Sequence, residues 1–228
     1  YYDFMGYARN FNRLPGGWGL EFIRLASGGA EGRDANNLRT SGFDYSETAI
    51  AVGGGLKGIY FSKLSMGVSV KFLSRTLADS ADRHFGGDLG LQYGPLLRGR
   101  LELGAVASNV LSFSGGDTSD KLPLLMKAGA AYRIAGDVLL AAEIDSDGKF
   151  KVGSEYALGI GSLRAGLDAN MVSFGLGTVL LSAYSLDIAV TRHPLLGLSN
   201  KISLGYQFGG GKNKREDKPA VLARDYLE

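Results

Sequence analysis

The 228-residue chain contains no cysteine, five prolines, two histidines and one tryptophan. Without cysteine there is no disulfide scaffold and no thiolate metal site. No run reaches the roughly 18 consecutive apolar residues that a transmembrane helix needs. The formal charge of +2 is too small to argue for a nucleic-acid partner or an anionic membrane surface. The opening YYDFMGYARN lacks an initiating Met, a basic start and an apolar core. No signal peptide is therefore read there, and the expectation is a mature form or a fragment.

What the chain does have is glycine (35 residues), 11 Tyr and 11 Phe, with 45% hydrophobic content and a mean hydropathy of +0.01. That balance suits a soluble protein, and equally a barrel whose apolar and polar residues alternate and cancel. The order of the residues is more informative, because period two recurs along the chain. Leu64, Met66, Val68, Val70 and Phe72 alternate with Ser65, Gly67, Ser69 and Lys71. Successive side chains of a strand point to opposite faces, so this segment has one apolar and one polar face. The same reading gives strands around Gly87–Tyr93, Leu101–Ala107, Leu124–Tyr132, Leu140–Ile144, Phe150–Leu158, Leu163–Leu167, Phe174–Leu180, Leu186–Val190 and Ile202–Phe208. Weaker alternation at Gly17–Ala26 and Tyr45–Gly54 brings the total to about 12 strands.

Turn signals lie between them at Gly94-Pro95, Ala135-Gly136-Asp137, Asp147-Gly148 and Gly159. Longer connections are expected at Ser27–Gly42, Thr76–Phe85 and Ser112–Lys121, and a single helical turn at Leu77–Arg83. The pattern predicts an all-β, antiparallel up-and-down meander over residues 1–208. Residues 209–228, charged after Gly209-Gly210-Gly211, read as a solvated tail or a docking segment for a periplasmic partner.

A soluble ligand-binding barrel and a transmembrane β-barrel share this alternation and differ in which face meets water. Three features favour the membrane. The strands run about ten residues, near what a tilted strand needs to cross hydrocarbon. The polar face mixes charges of both signs with Gly and Ser. The last strand ends Tyr206-Gln207-Phe208, which resembles the terminal signal read by the outer-membrane barrel assembly machinery. On this reading the apolar face meets outer-membrane lipid, and the lumen is lined by Lys71, Asp88, Arg100, Glu102, Lys127, Arg133 and Glu143. Lys149, Lys151, Glu155, Arg164, Asp168, Asp187 and Lys201 complete that set. Because the two signs are balanced, the expectation is a salt-bridged interior, with a charged path for a polar solute as the alternative.

The stretch Gly67–Gly94, with Asp88-Leu89-Gly90 followed by Tyr93, resembles a strand pair of the FadL-like outer-membrane superfamily, in its PorV/PorQ branch. Leu101–Leu111, with Leu103-Gly104 followed by Asn109, resembles that branch's next strand, and shorter matches continue to Asn200–Phe208. The resemblance implies a barrel of about 14 strands in the cell outer membrane of a Gram-negative-type envelope. Its members carry hydrophobic molecules such as fatty acids, or, in the PorV branch, act in protein secretion by shuttling exported proteins. The hatch and its N-P-A motif, which the family leads one to expect, are not found in the sequence.

Transport of a hydrophobic molecule is thus the first functional expectation, and a secretion-linked carrier of a secreted or periplasmic protein the second. A catalytic role is not expected. His84, placed in a loop, and His193, at a strand end, read as ordinary polar residues rather than parts of a Ser/His pair. Asp145, Asp147 and Gly148 lack the remaining ligands of a calcium loop and read as a hairpin turn. The Gly53-Gly54-Gly55 run has no helix and no Lys-Ser/Thr after it, so it reads as strand rather than phosphate loop. No cofactor is implied. Recognition is expected on the three longer loops.

Overall fold

The computed structural model describes residues 1–208 apart from Ser41, Ile59, Asp79, 117–120, Ser182 and Leu196. The expected tail at 209–228 lies outside the described residues. Thirteen strands follow one another: β1 (Tyr2–Asn10), β2 (Gly16–Ala30), β3 (Phe43–Lys57), β4 (Leu64–Leu77), β5 (Ser80–Leu96), β6 (Leu101–Gly116) and β7 (Leu125–Ala135). Then come β8 (Val138–Asp145), β9 (Phe150–Ala157), β10 (Gly161–Asp168), β11 (Met171–Leu180), β12 (Tyr184–His193) and β13 (Gly197–Tyr206). They form one sheet in sequence order, so each strand bonds the next. The chain clusters into two compact units, Tyr1–Tyr93 with Gly104–Met126 and Gly94–Leu103 with Lys127 onward.

One strand more is present than the alternation predicts. In β1, Tyr2, Phe4 and Ala8 stand on one face and Met5 and Tyr7 on the other, so apolar residues occupy both faces and period two disappears. Three further expectations are corrected. The proposed connection Thr76–Phe85 is mostly strand: β4 continues to Leu77 and β5 begins at Ser80, which leaves no room for a helical turn. His84 therefore lies on β5, not in a loop. Gly94-Pro95 lies inside β5, and the turn falls at residues 97–100. After Phe72 the apolar face turns polar at Ser74 and Thr76 while Leu73 and Leu77 fall on the other face, so the pairing rests on the backbone ladder and the contrast between faces is lost. Asp147-Gly148 does form the turn between β8 and β9, with the Asp145 carboxylate accepting from the amides of Asp147 (3.0 Å) and Lys149 (2.9 Å).

The registers assemble the apolar face from rows of cross-strand neighbours. In the first unit, Val70, Val52, Leu20 and Tyr7 form one row on β4, β3, β2 and β1, and Phe85, Phe72, Ile50, Phe22 and Met5 form the next, beginning on β5. The row beyond is Arg83, Ser74, Thr48, Arg24 and Asp3. On β4 the apolar stretch is thus Leu64–Phe72, nine residues, close to the 9–11 that cross hydrocarbon when tilted. In the second unit the corresponding rows include Ile202, Ile188, Leu176, Leu163, Tyr156 and Val138.

Burial runs opposite to that of a water-soluble sheet. Val68 is 61% exposed, Phe174 63% and Leu204 82%, while among the described residues the buried apolar side chains are the two alanines Ala26 and Ala189. The polar residues His84, Lys151 and Asp187 are buried instead. A sheet packed for water buries its apolar face. Here, among the described residues, nothing covers it.

One residue inside β6 departs from strand geometry. Asn109 has φ 61°, in the left-handed region. Its amide N–H donates to Asp88 Oδ1 at 2.8 Å, and its side-chain Nδ2 donates to the Pro123 carbonyl at 2.8 Å. Asparagine tolerates this backbone and a β-branched residue does not. Asn109→Val is expected to lower unfolding stability by about 1–3 kcal/mol more than Asn109→Gly. Denaturant titration of the two variants in detergent micelles, followed by far-UV circular dichroism, checks the difference.

Candidate functional site

The polar face of the second unit carries two ion-pair networks. Arg164 on β10 stands opposite Glu155 on β9 and Gly175 on β11. Its Nε lies 2.7 Å from Glu155 Oε2, and its Nη1 lies 2.5 Å from Asp187 Oδ1 on β12. To reach Asp187 the guanidinium must pass over β11, and it does so at Gly177, the register partner of Asp187. A Cβ at that position would sit 2.4 Å from Asp187 Oδ1, 2.7 Å from Arg164 Nη1 and 2.8 Å from Ser162 Oγ. Glycine here is a gap through which a charge pair spans three strands. The Arg164 and Asp187 side chains are only 10% and 7% exposed, so each needs its partner to offset desolvation.

The second network steps across neighbouring strands. Lys127 Nζ on β7 approaches Glu143 Oε1 on β8 at 4.0 Å. Glu143 is the register partner of Lys151 on β9, whose Nζ lies 3.2 Å from Asp168 Oδ2 on β10. Between the two networks runs a row of small residues: Ala131, Ala141, Gly153, Gly166, Ser173, Thr191 and Ser199.

In the first unit, Lys71 on β4 faces Gly86 and leans along β5 to Asp88, with Nζ 3.0 Å and 3.1 Å from the two carboxylate oxygens. Ser69 Oγ adds a donor to Asp88 at 3.2 Å. Gly86 repeats the device seen at Gly177, since a Cβ there would meet Lys71 Cε at 2.8 Å. Further along this face Arg75 pairs with Glu47 at 3.4 Å, and the Tyr45 hydroxyl donates to Glu47. His84 Nδ1 and Asn109 Oδ1 are buried without a partner among the described residues.

The structure places the candidate residues as follows. Lys71 and Asp88 meet, as do Lys127 and Glu143, Lys151 and Asp168, and Glu155, Arg164 and Asp187. Arg133 lies on β7, where its Nη1 donates to the Gly136 carbonyl at 3.4 Å, and Lys201 lies on β13 opposite Ala189. Glu102 lies on β6 beside Gly94. Arg100 is in the turn between β5 and β6 rather than on a strand, and Lys149 is in the turn before β9. At the chain's last strand the rings of Tyr184 and Tyr206 lie 4.8 Å apart and those of Tyr206 and Phe208 4.6 Å apart, an aromatic cluster at one end of the apolar face. Sequence reading missed Gly86, Gly177, Glu47 and Arg75. Gly and strand-end charges carry no periodic signal, and only the register reveals what they oppose.

An antiparallel meander whose apolar face is uncovered among the described residues and whose polar face is ion-paired defines a class, that of the transmembrane β-barrel fold. No family model matches the sequence, and no curated protein matches it significantly. Comparison of structures does find likeness. A ΔS2S3 mutant of the monoaromatic hydrocarbon channel TodX is 15% identical, with a TM-score of 0.60 over 89% of this chain and 81% of that one. The toluene transporter TodX of Pseudomonas putida is 14% identical, with a TM-score of 0.49 over 90% and 73%. A mutant porin of Rh. blastica is 8% identical, with a TM-score of 0.44 over 91% and 98%. The first of these shows the fold alone, an antiparallel up-and-down β-barrel.

Removing Arg164 alone leaves two carboxylates unpaired, that of Asp187 in a desolvated setting. Arg164→Met is expected to cost about 3–5 kcal/mol of stability. The triple variant Arg164→Met, Glu155→Gln, Asp187→Asn should recover most of that loss, because no unpaired charge remains. Equilibrium unfolding of the two variants side by side separates charge pairing from simple packing.

Proposed function

We propose that this chain is an outer-membrane channel that passes small hydrophobic molecules, with residues 1–208 as its membrane domain. The observation that carries the reading is the inversion of burial: apolar rows exposed, ion-paired rows covered. The apolar face then meets lipid, the polar face lines the lumen, and Lys71, Asp88, Arg164 and Asp187 belong to its wall. Balanced, mutually paired charges do not attract a solute of either sign, which suits an uncharged permeant better than an ionic one. The fold shared with the TodX mutant supports a permeant of the hydrocarbon type.

A second reading, a carrier for exported proteins, draws on the unequal strands. β2–β6 run 14 to 17 residues, against 8 to 11 for β7–β13. The extra length gives a paired, polar wall beyond the aromatic row, where a protein could dock. A protein cargo retained during gentle extraction, with no uptake of small molecules, would establish this reading over the first.

Two measurements test the channel reading. Lipid vesicles carrying the refolded chain should take up toluene faster than empty vesicles, while glucose entry stays at the empty-vesicle rate; equal acceleration of both would replace it with a general pore. Val68→Arg, in the middle of the apolar rows, should destabilise the vesicle-embedded protein by about 2–4 kcal/mol. A loss below a few tenths of a kcal/mol would mean that this face does not meet lipid.

A further inference from the structure

We propose that the groove between β5 and β6 at the edge of the apolar face binds a membrane lipid of net negative charge through its phosphate, with Arg83 holding the anionic headgroup and Phe85 and Phe113 the upper acyl chain. The proposal rests on the membrane reading above. The groove belongs wholly to the first unit and encloses about 600 Å³, lined by Ala81, Arg83, Phe85, Phe113 and the 114–116 segment. That volume is within the roughly 300–1,000 Å³ of small-molecule sites. Its position matters more than its size. Phe85 belongs to the last apolar row and Arg83, two residues on and on the same face, to the first polar one. The groove therefore straddles the level at which hydrocarbon gives way to headgroups.

Its wall at 115–116 faces open space at one glycine and lies close against the β5 backbone at the other. Nothing lies within 4 Å of a Cβ built on Gly115, while one built on Gly116 would fall 2.5 Å from the Ala81 carbonyl oxygen. Phe85 and Phe113 are 54% and 65% exposed, so the floor is apolar and uncovered. The rim is cationic. Arg83 is exposed and makes no ion pair or hydrogen bond among the described residues. Arg24, in the same row on β2, differs: its guanidinium lies 5.6 Å from the Tyr1 ring centroid. A guanidinium with free donors beside an apolar slot matches a phosphodiester with an acyl chain attached, since Arg binds phosphate oxygens in a forked, charge-assisted geometry.

The test uses the protein's own fluorescence. Trp18→Phe with Phe113→Trp leaves one tryptophan, placed in the groove. The refolded chain goes into vesicles containing equal fractions of brominated phosphatidylglycerol or brominated phosphatidylcholine. Quenching should favour the phosphatidylglycerol by about fivefold in apparent affinity, the worth of one arginine at an anionic surface. Adding Arg83→Ala should abolish the preference, and adding Arg24→Ala should leave it intact. Equal quenching by both lipids, or a preference that survives Arg83→Ala, overturns the lipid site while leaving the membrane reading standing. No quenching by either lipid overturns the membrane reading and the lipid site with it.

Discussion

A charge taken out of water must meet its opposite at bonding distance, and the polar face of this sheet is arranged around that demand. Neighbouring strands of a sheet lie about 4.8 Å apart, so direct cross-strand partners meet without help. Glu47 with Arg75 and Lys151 with Asp168 are of this kind. Arg164 and Asp187 are two strands apart, and their contact exists only because β11 presents glycine at the crossing. Lys71 needs the same courtesy from Gly86 to lie along β5. Glycine, often read as a weakness in a strand, here sets which charges can pair. The abundance of glycine in the sequence and the balance of its charges are thus two aspects of one arrangement.

Much of the meander was legible in the sequence, and the failures have a common cause. Period two depends on one face being apolar and the other polar. From Leu64 to Phe72 that contrast is sharp and the strand is plain. From Ser74 to Arg83 polar residues stand on both faces with no apolar row on either, and an extended hairpin resembles a loop. In β1 both faces carry apolar residues, and a strand of nine residues shows no alternation at all. The backbone pairing is the same in all three cases, but only the first leaves a mark on the side-chain pattern. For the polar face, alternation assigns residues to a side of the sheet but not to each other. Arg164 could be placed opposite lipid from sequence alone, yet its partners depend on a register that alternation does not fix.

Asp88 and Asn109 show a different kind of legibility. Each belongs to a short motif that resembles the same family, and the motifs lie on adjacent strands. The structure joins them: the Asp88 carboxylate accepts from the backbone of Asn109 while also pairing with Lys71. That bond is possible because the left-handed backbone at Asn109 turns its N–H out of the ladder and toward the carboxylate. The Asn109 side chain then ties β6 to Pro123, just ahead of β7. A single acidic residue therefore fixes a lysine on one neighbour and an irregularity on the other. Neither motif has this content by itself.

The aromatic row and the row after it describe where one environment ends. Phe85, Phe72, Ile50, Phe22 and Met5 are followed one step along the strands by Arg83, Ser74, Thr48, Arg24 and Asp3. A change of this kind in one strand is ordinary. Its alignment across five strands is imposed by the register, since a one-residue slip of β2, β4 or β5 would turn Glu21, Lys71 or His84 into the apolar rows, and a two-residue slip could carry Arg24 or Arg83 there. The strands nonetheless continue past this level, paired to the end in β4 and β5. Pairing beyond the apolar rows is not driven by burial of apolar surface, so it must rest on backbone hydrogen bonds and on cross-strand contacts such as Arg75 with Glu47. The length of β2–β6 is therefore set by the backbone, and the height of the apolar face by the side chains; the two need not agree, and here they differ by several residues.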